Sequence, residues 1–129
     1  MCKKDTDVVG EIGICELKAE LSGFTGTTQY FRHWLGLNYT DGVKHLADRV
    51  GAHWLIDAIA SWQPEASRID RHFQLWELSV DQDRRAVLSF RRDSGLPADI
   101  QQKIEYTDFP VGCISLYVEN GVLLLPSEH

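Results

Sequence analysis

The apolar residues of this chain recur with a helical period up to about Arg71 and with a period of two beyond it, and that switch constrains the architecture more than any other feature. Helices followed by strands do not interleave into the alternating units of a parallel α/β sheet. The order predicts an α+β domain, with N-terminal helices packed on a four- or five-stranded antiparallel sheet built from C-terminal hairpins. A chain of 129 residues holds material for one hydrophobic core. Residues 1–129 are therefore read as a single domain, with about residues 1–7 as a flexible polar tail.

In the first half, Ile14, Leu17 and Leu21 fall at helical spacing within Val8 to Leu21, and Ser22-Gly23 offers a left-handed cap. Thr25 and Thr27 are N-cap candidates for a short helix carrying Tyr30, Phe31 and Trp34, which Gly36 would stop. Thr40-Asp41 precedes Val43, Leu46, Ala47 and Val50, an i, i+3, i+4, i+7 stripe closed by Gly51. Ala52 to Trp62 is apolar around most of its circumference, so it is expected to be the central, largely buried helix, and Pro64 opposes its continuation.

In the second half, Phe73 to Val80 and Ala86 to Arg91 alternate about the polar Asp81-Gln82-Asp83 and predict a hairpin. Residues 97–106 fit either a helix started by Pro97 or a strand with Ile100, Gln102, Ile104 and Tyr106 on one face, and the strand is preferred. Cys113 to Val118 and Val122 to Leu125 flank Asn120-Gly121, a pair that supplies the two positive φ angles of a type I′ turn.

Cys2, Cys15 and Cys113 are widely scattered, with no zinc-knuckle or dithiol spacing, which predicts three free thiols in a reduced, cytoplasmic protein. The polar N-terminus carries no secretion signal, and no window approaches the roughly 18 apolar residues of a membrane span, so no membrane partner is expected. Thirteen basic against nineteen acidic residues leave a net charge of −6, which argues against nucleic acid as the default partner.

The blocks Leu21 to Thr27, Tyr39-Thr40-Asp41-Gly42-Val43, Trp54-Leu55-Ile56-Asp57-Ala58-Ile59, Tyr106-Thr107-Asp108-Phe109-Pro110 and Asn120 to Glu128 carry a resemblance. In them the chain resembles a family of small bacterial, plasmid and phage proteins catalogued only as a domain of unknown function. The resemblance implies a mobile-element neighbourhood; it brings no activity, cofactor or catalytic residue. His129 stands where an aromatic residue is expected.

His53 and Asp57 lie four apart on one predicted helix, the spacing at which a carboxylate orients an imidazole as a general base, or at which a polar pair merely edges a core helix. His33, His45 and His53 match no zinc spacing, and neither Cys15 nor Cys113 sits in a nucleophile signature, so no metal or cofactor is expected. The glycine-bearing loop at Thr25 and Thr27 lacks the lysine of a nucleotide-binding loop and is better read as helix capping, although Tyr30, Arg32 and His33 beyond it offer a polar contact surface. Asp41 to Trp62 fails as a helix–turn–helix, because its second helix offers only His53, Asp57 and Ser61 to a groove.

Six of the eight arginines fall between Arg68 and Arg92. Arg84, Arg85, Arg91 and Arg92, at the two ends of a hairpin strand, are candidates to grip an acidic partner, or else they solvate strand ends. These features favour a non-enzymatic accessory or regulatory factor that binds another protein, with homodimerisation open. The runner-up is a small hydrolase or nucleotide-processing enzyme using His53, Asp57 or the Thr25-to-His33 region, and the third reading is nucleic-acid binding through the arginines.

Overall fold

A computed structural model of the chain describes residues 13–24, 29–33, 35–70, 72–92, 95 and 97–128. The expected tail and the N-cap candidates Thr25 and Thr27 lie outside these residues, as do Trp34 and His129. Among the described residues the chain is α+β, with four α-helices and a seven-stranded mixed sheet. The helices are α1 (Ile14–Leu21), α2 (Asp41–Val50), α3 (His53–Ser61) and α4 (Gln63–Ile69). The strands are β1 (Tyr30–Arg32), β2 (Asn38–Thr40), β3 (Phe73–Val80), β4 (Ala86–Arg91), β5 (Ile100–Ile104), β6 (Gly112–Glu119) and β7 (Val122–Leu124), and a 3-10 turn, Pro126–Glu128, ends the described chain.

Five of the strands form the expected antiparallel block, in the order β7-β6-β3-β4-β5. The β3–β4 hairpin and the turn at Asn120 (φ 52°) and Gly121 (φ 82°) form as expected, and of the two readings open for residues 97–106 the preferred strand forms, at Ile100–Ile104. The sheet is larger than expected because Tyr30–Arg32 and Asn38–Thr40 are strands, where a short helix carrying Tyr30 and Phe31 was expected. Aromatic and β-branched residues there pair as β1 and β2, with Phe31 opposite Tyr39 and their rings stacked 5.6 Å apart. The β2 strand then joins β7 in parallel, which makes the sheet mixed rather than antiparallel.

The α2 helix forms as its stripe and caps dictate. The Thr40 hydroxyl accepts the Val43 N–H at 3.2 Å, and Gly51, at φ 66° and ψ 38°, ends the helix with its N–H on the Ala47 carbonyl. In α1 the cap is Ser22 in a helical conformation, so Gly23 is not the left-handed cap residue expected. Pro64 does not end the helical layer: it sits in the first turn of α4, which restarts at Trp62.

The core lies between α3 and one sheet face, where Leu55 and Ile59 meet Trp76, Leu78, Leu88, Ile114 and Leu116. A pair of amides ties α4 to β3 within it. Gln74 is 1% exposed, and its side chain and that of Gln63 exchange hydrogen bonds at 2.9 and 3.2 Å. Cys15 is free and exposed, whereas Cys113 is disulfide-bonded, which corrects the expectation of three free thiols. No helix among the described residues is long and apolar enough to cross a membrane.

Candidate functional site

The α3 helix carries more apolar surface than the core consumes. Leu55, Ile56, Ile59 and Ala60 are buried, but Trp54 and Ala58 are only half-buried, so this helix is not enclosed on all sides as its composition suggests. The surplus faces a cleft of 830 Å³, walled by α3 and the end of α2 on one side and by β5 and the following loop on the other. Val50, Trp54, Ala58, Ile104 and Phe109 contribute apolar walls to this open cleft, whose volume falls within the range of ligand sites.

Two loops complete the cleft. The turn after β1 is closed by His33 N–H to the Leu37 carbonyl at 2.7 Å and Gly36 N–H to the His33 carbonyl at 2.8 Å, and it carries His33 to α3. The loop after β5 is fastened to the β3–β4 turn, since Thr107 N–H donates to the Arg84 carbonyl at 2.9 Å and the Arg84 guanidinium donates to the Phe109 carbonyl at 3.1 Å. Phe109 is thereby buried as a plug, while Tyr106, 67% exposed, stands at the rim and donates its hydroxyl proton to Asp108 at 2.9 Å.

His33 is buried, and its Nε2 lies 2.5 Å from Oδ1 of the largely exposed Asp57. Its other nitrogen, Nδ1, receives the Leu35 backbone N–H at 3.1 Å. An amide N–H only donates, so Nδ1 is an acceptor and Nε2 carries the proton given to Asp57. Both ring nitrogens are committed in this tautomer. A general base needs a vacant lone pair directed at substrate, and here the carboxylate occupies the position that substrate would take.

The pairing inferred from spacing alone, His53 with Asp57, does not form. His53 instead meets Asp48 at 2.7 Å, because both are exposed at the α2–α3 junction, while Asp57 turns toward His33. His45 meets Glu20 at 2.5 Å, so the three histidines go to three different carboxylates, and among the described residues no His/Cys/Asp/Glu group is placed to hold a metal. The His45 hydrogen bond holds the Glu20 carboxyl below its ordinary value against the effect of burial, with Arg49 adding to the shift. Asp48 is likewise lowered, first by the Lys44 hydrogen bond and then by His53.

The arginines do not make one basic patch. Arg91 is paired with Glu77 and Arg92 with Asp99, each at 3.2 Å, and Arg84 is the half-buried bolt of the loop after β5. Arg85 alone of the four is exposed with no side-chain partner among the described residues. Of the polar surface before them, Tyr30 and Arg32 are exposed, whereas His33 belongs to the cleft. Reversing Arg84 to Glu is therefore expected to cost about 1.5 to 3 kcal/mol, the usual worth of a hydrogen bond to a charged group. Arg85→Glu should change stability by less than about 0.5 kcal/mol, as at most exposed positions. Urea unfolding of the two variants checks this, and equal effects would contradict the bolt.

Asp57 and His33 were legible as candidates, with other partners and surroundings. Trp54, Ser61, Gln102, Tyr106 and Asp108 were not singled out as site residues, although the blocks Trp54–Ile59 and Tyr106–Pro110 stood out in the sequence. The structure places those two blocks on opposite walls of the cleft.

The family model described as "Family of unknown function (DUF6876)" matches residues 15–129. The chain belongs to this family. The match takes in α1 from its second residue, the other three helices and every strand of the sheet, and so includes both walls of the cleft. Neither a curated protein nor a solved structure matches the chain.

Proposed function

We propose that this DUF6876 protein is a non-enzymatic interaction factor, an accessory or regulatory protein of a mobile genetic element that binds another protein through the cleft between α3 and the β5 loop. The observation that carries this reading is the makeup of the cleft, aromatic and apolar walls with Asp57 and Asp108 at its mouth and a histidine whose nitrogens are both engaged. Such a site favours recognition over proton transfer. The His33–Asp57 contact is the feature that most favours the hydrolase alternative, and the commitment of Nδ1 to Leu35 weighs against it. Nucleotide chemistry is disfavoured too, since neither Lys nor Arg is among the described residues lining the cleft to receive a phosphate. The internal pairing of Arg91 and Arg92 weakens both the acidic-partner surface and the nucleic-acid reading.

Ser61 lies exposed at the rim, so a Ser61→Trp substitution narrows the cleft without touching the core. In affinity capture from the native host after nuclease treatment, the wild-type protein is expected to retain a protein partner. The Ser61→Trp variant, folded by circular dichroism, should recover it at least about tenfold less well, the scale of one blocked anchor site. Recovery unaffected by the substitution would refute the reading.

A further inference from the structure

We infer that the group seated in the cleft is an arginine side chain of the protein partner, a step that rests on the interaction reading above. Three properties of the cleft point to this occupant. Charge comes first: Asp57 and Asp108 are the carboxylates that line it, and neither Lys nor Arg is among the described residues lining it to neutralise them. Each carboxylate is also aimed by a single donor, Asp57 by His33 Nε2 and Asp108 by the Tyr106 hydroxyl. A carboxylate has about four lone-pair sites, so acceptor capacity is left for an incoming cation.

The second property is shape and surface. Trp54 and Tyr106 bring aromatic rings to the same cleft, and a guanidinium stacks on such faces while its fork of N–H groups reaches carboxylates in pairs. An ammonium is a strongly hydrated point charge and gains less from flat walls. Third, the apolar walls formed by Val50, Ala58 and Ile104 suit the methylene stem of a long side chain that keeps its charged end at the polar rim. Gln102, whose Oε1 receives the Trp62 indole N–H at 2.7 Å, is held in place on the β5 wall beside that stem.

The test uses the full chain and two capped pentapeptides, Ala-Ser-Arg-Ser-Ala and its counterpart with citrulline replacing arginine, which keeps the shape of the side chain and removes its charge. In NMR titrations the arginine peptide is expected to move the signals of Trp54, Asp57 and Asp108 and to bind at least about fivefold tighter than the citrulline peptide, as charge-assisted hydrogen bonds exceed neutral ones. Combining Asp57→Asn with Asp108→Asn keeps an acceptor for His33 and for Tyr106 but removes both charges. In that variant the two peptides should bind within twofold of each other, and the wild-type preference should shrink as salt rises.

Equal binding of the two peptides to the wild type, including no binding of either, overturns the inference. So does a preference that survives in the double variant, or shifts that cluster away from the cleft. The two proposals fail separately: loss of the partner in Ser61→Trp without arginine preference removes only the arginine, whereas arginine preference with undiminished partner capture removes the interaction reading.

Discussion

Replacing Gln74 with leucine is expected to cost about 3 kcal/mol of stability, although it exchanges a polar side chain for an apolar one inside a core. Gln74 Oε1 accepts the Trp76 indole N–H and the Gln63 amide, each at 2.9 Å, and its Nε2 donates to the Asp70 carbonyl at 3.0 Å and to Gln63 Oε1 at 3.2 Å. Every polar atom of the side chain is thus used, and no buried side-chain N or O among the described residues is left without a partner. Leucine strands the Trp76 N–H, whose residue is 1% exposed, together with one face of the Gln63 amide. Each orphaned group costs about 1 to 3 kcal/mol, which outweighs the gain from burying a more apolar side chain. Urea unfolding measures the loss, and a double variant with Gln63→Leu should lose less than the sum of the single losses because the reciprocal pair is counted only once. A loss below about 1 kcal/mol for Gln74→Leu would show that water reaches the network.

Gly42 gives the second large expected effect. It lies in the first turn of α2, where an added Cβ would sit 2.7 Å from both Glu128 Oε1 and Leu125 Cδ1. Neither neighbour yields freely. Leu125 is 1% exposed, and the Glu128 carboxylate accepts the Thr40 hydroxyl at 2.6 Å and the Leu125 N–H at 3.0 Å, which docks the turn Pro126–Glu128 on the start of α2. A carboxylate there also complements the positive end of the helix. Gly42→Val is therefore expected to destabilise by about 2 to 3 kcal/mol through overpacking. Gly42→Ala should cost less, because alanine recovers about 1 kcal/mol of helix propensity. In a Glu128→Ala background the cost of Gly42→Ala should fall further, since one of the two obstructing groups is gone. Thermal unfolding of the four proteins checks the cycle, and additive effects would mean that Gly42 and Glu128 do not share this contact.

The same two examples show where reading the chain succeeds and where it stops. Alternation from Phe73 to Val80 correctly puts Gln74, Trp76, Leu78 and Val80 on one face, but a period of two does not say which face is buried, so Gln74 shows its role only once Trp76 and Gln63 are beside it. Glycine at position 42 looks like a weak helix residue until Glu128, 86 positions later, arrives against it. The cleft is a similar case. Helical spacing brings His53 and Asp57 within reach of each other, yet each finds a nearer partner on another element, and a pairing between residues on separate elements has no spacing to read.

Local rules determined the helices from Thr40 to Trp62, the β3–β4 and Asn120-Gly121 hairpins, and the order of helices before strands, because caps, turn residues and hydrophobic period act over a few neighbouring residues. Only the tertiary structure decided the rest. Three-residue segments such as Tyr30–Arg32 and Asn38–Thr40 are too short to declare a period, and become strands because β7 offers an edge to Asn38–Thr40, which in turn offers one to Tyr30–Arg32. Arginines clustered in sequence are dispersed or neutralised by carboxylates brought from neighbouring strands and loops. The site itself is made by closure: α3 exposes Trp54 and Ala58 to a loop that Arg84 bolts in place across the end of the sheet. The cleft sets residues 50 to 61 opposite residues 102 to 109, and its geometry follows from packing that no single segment encodes.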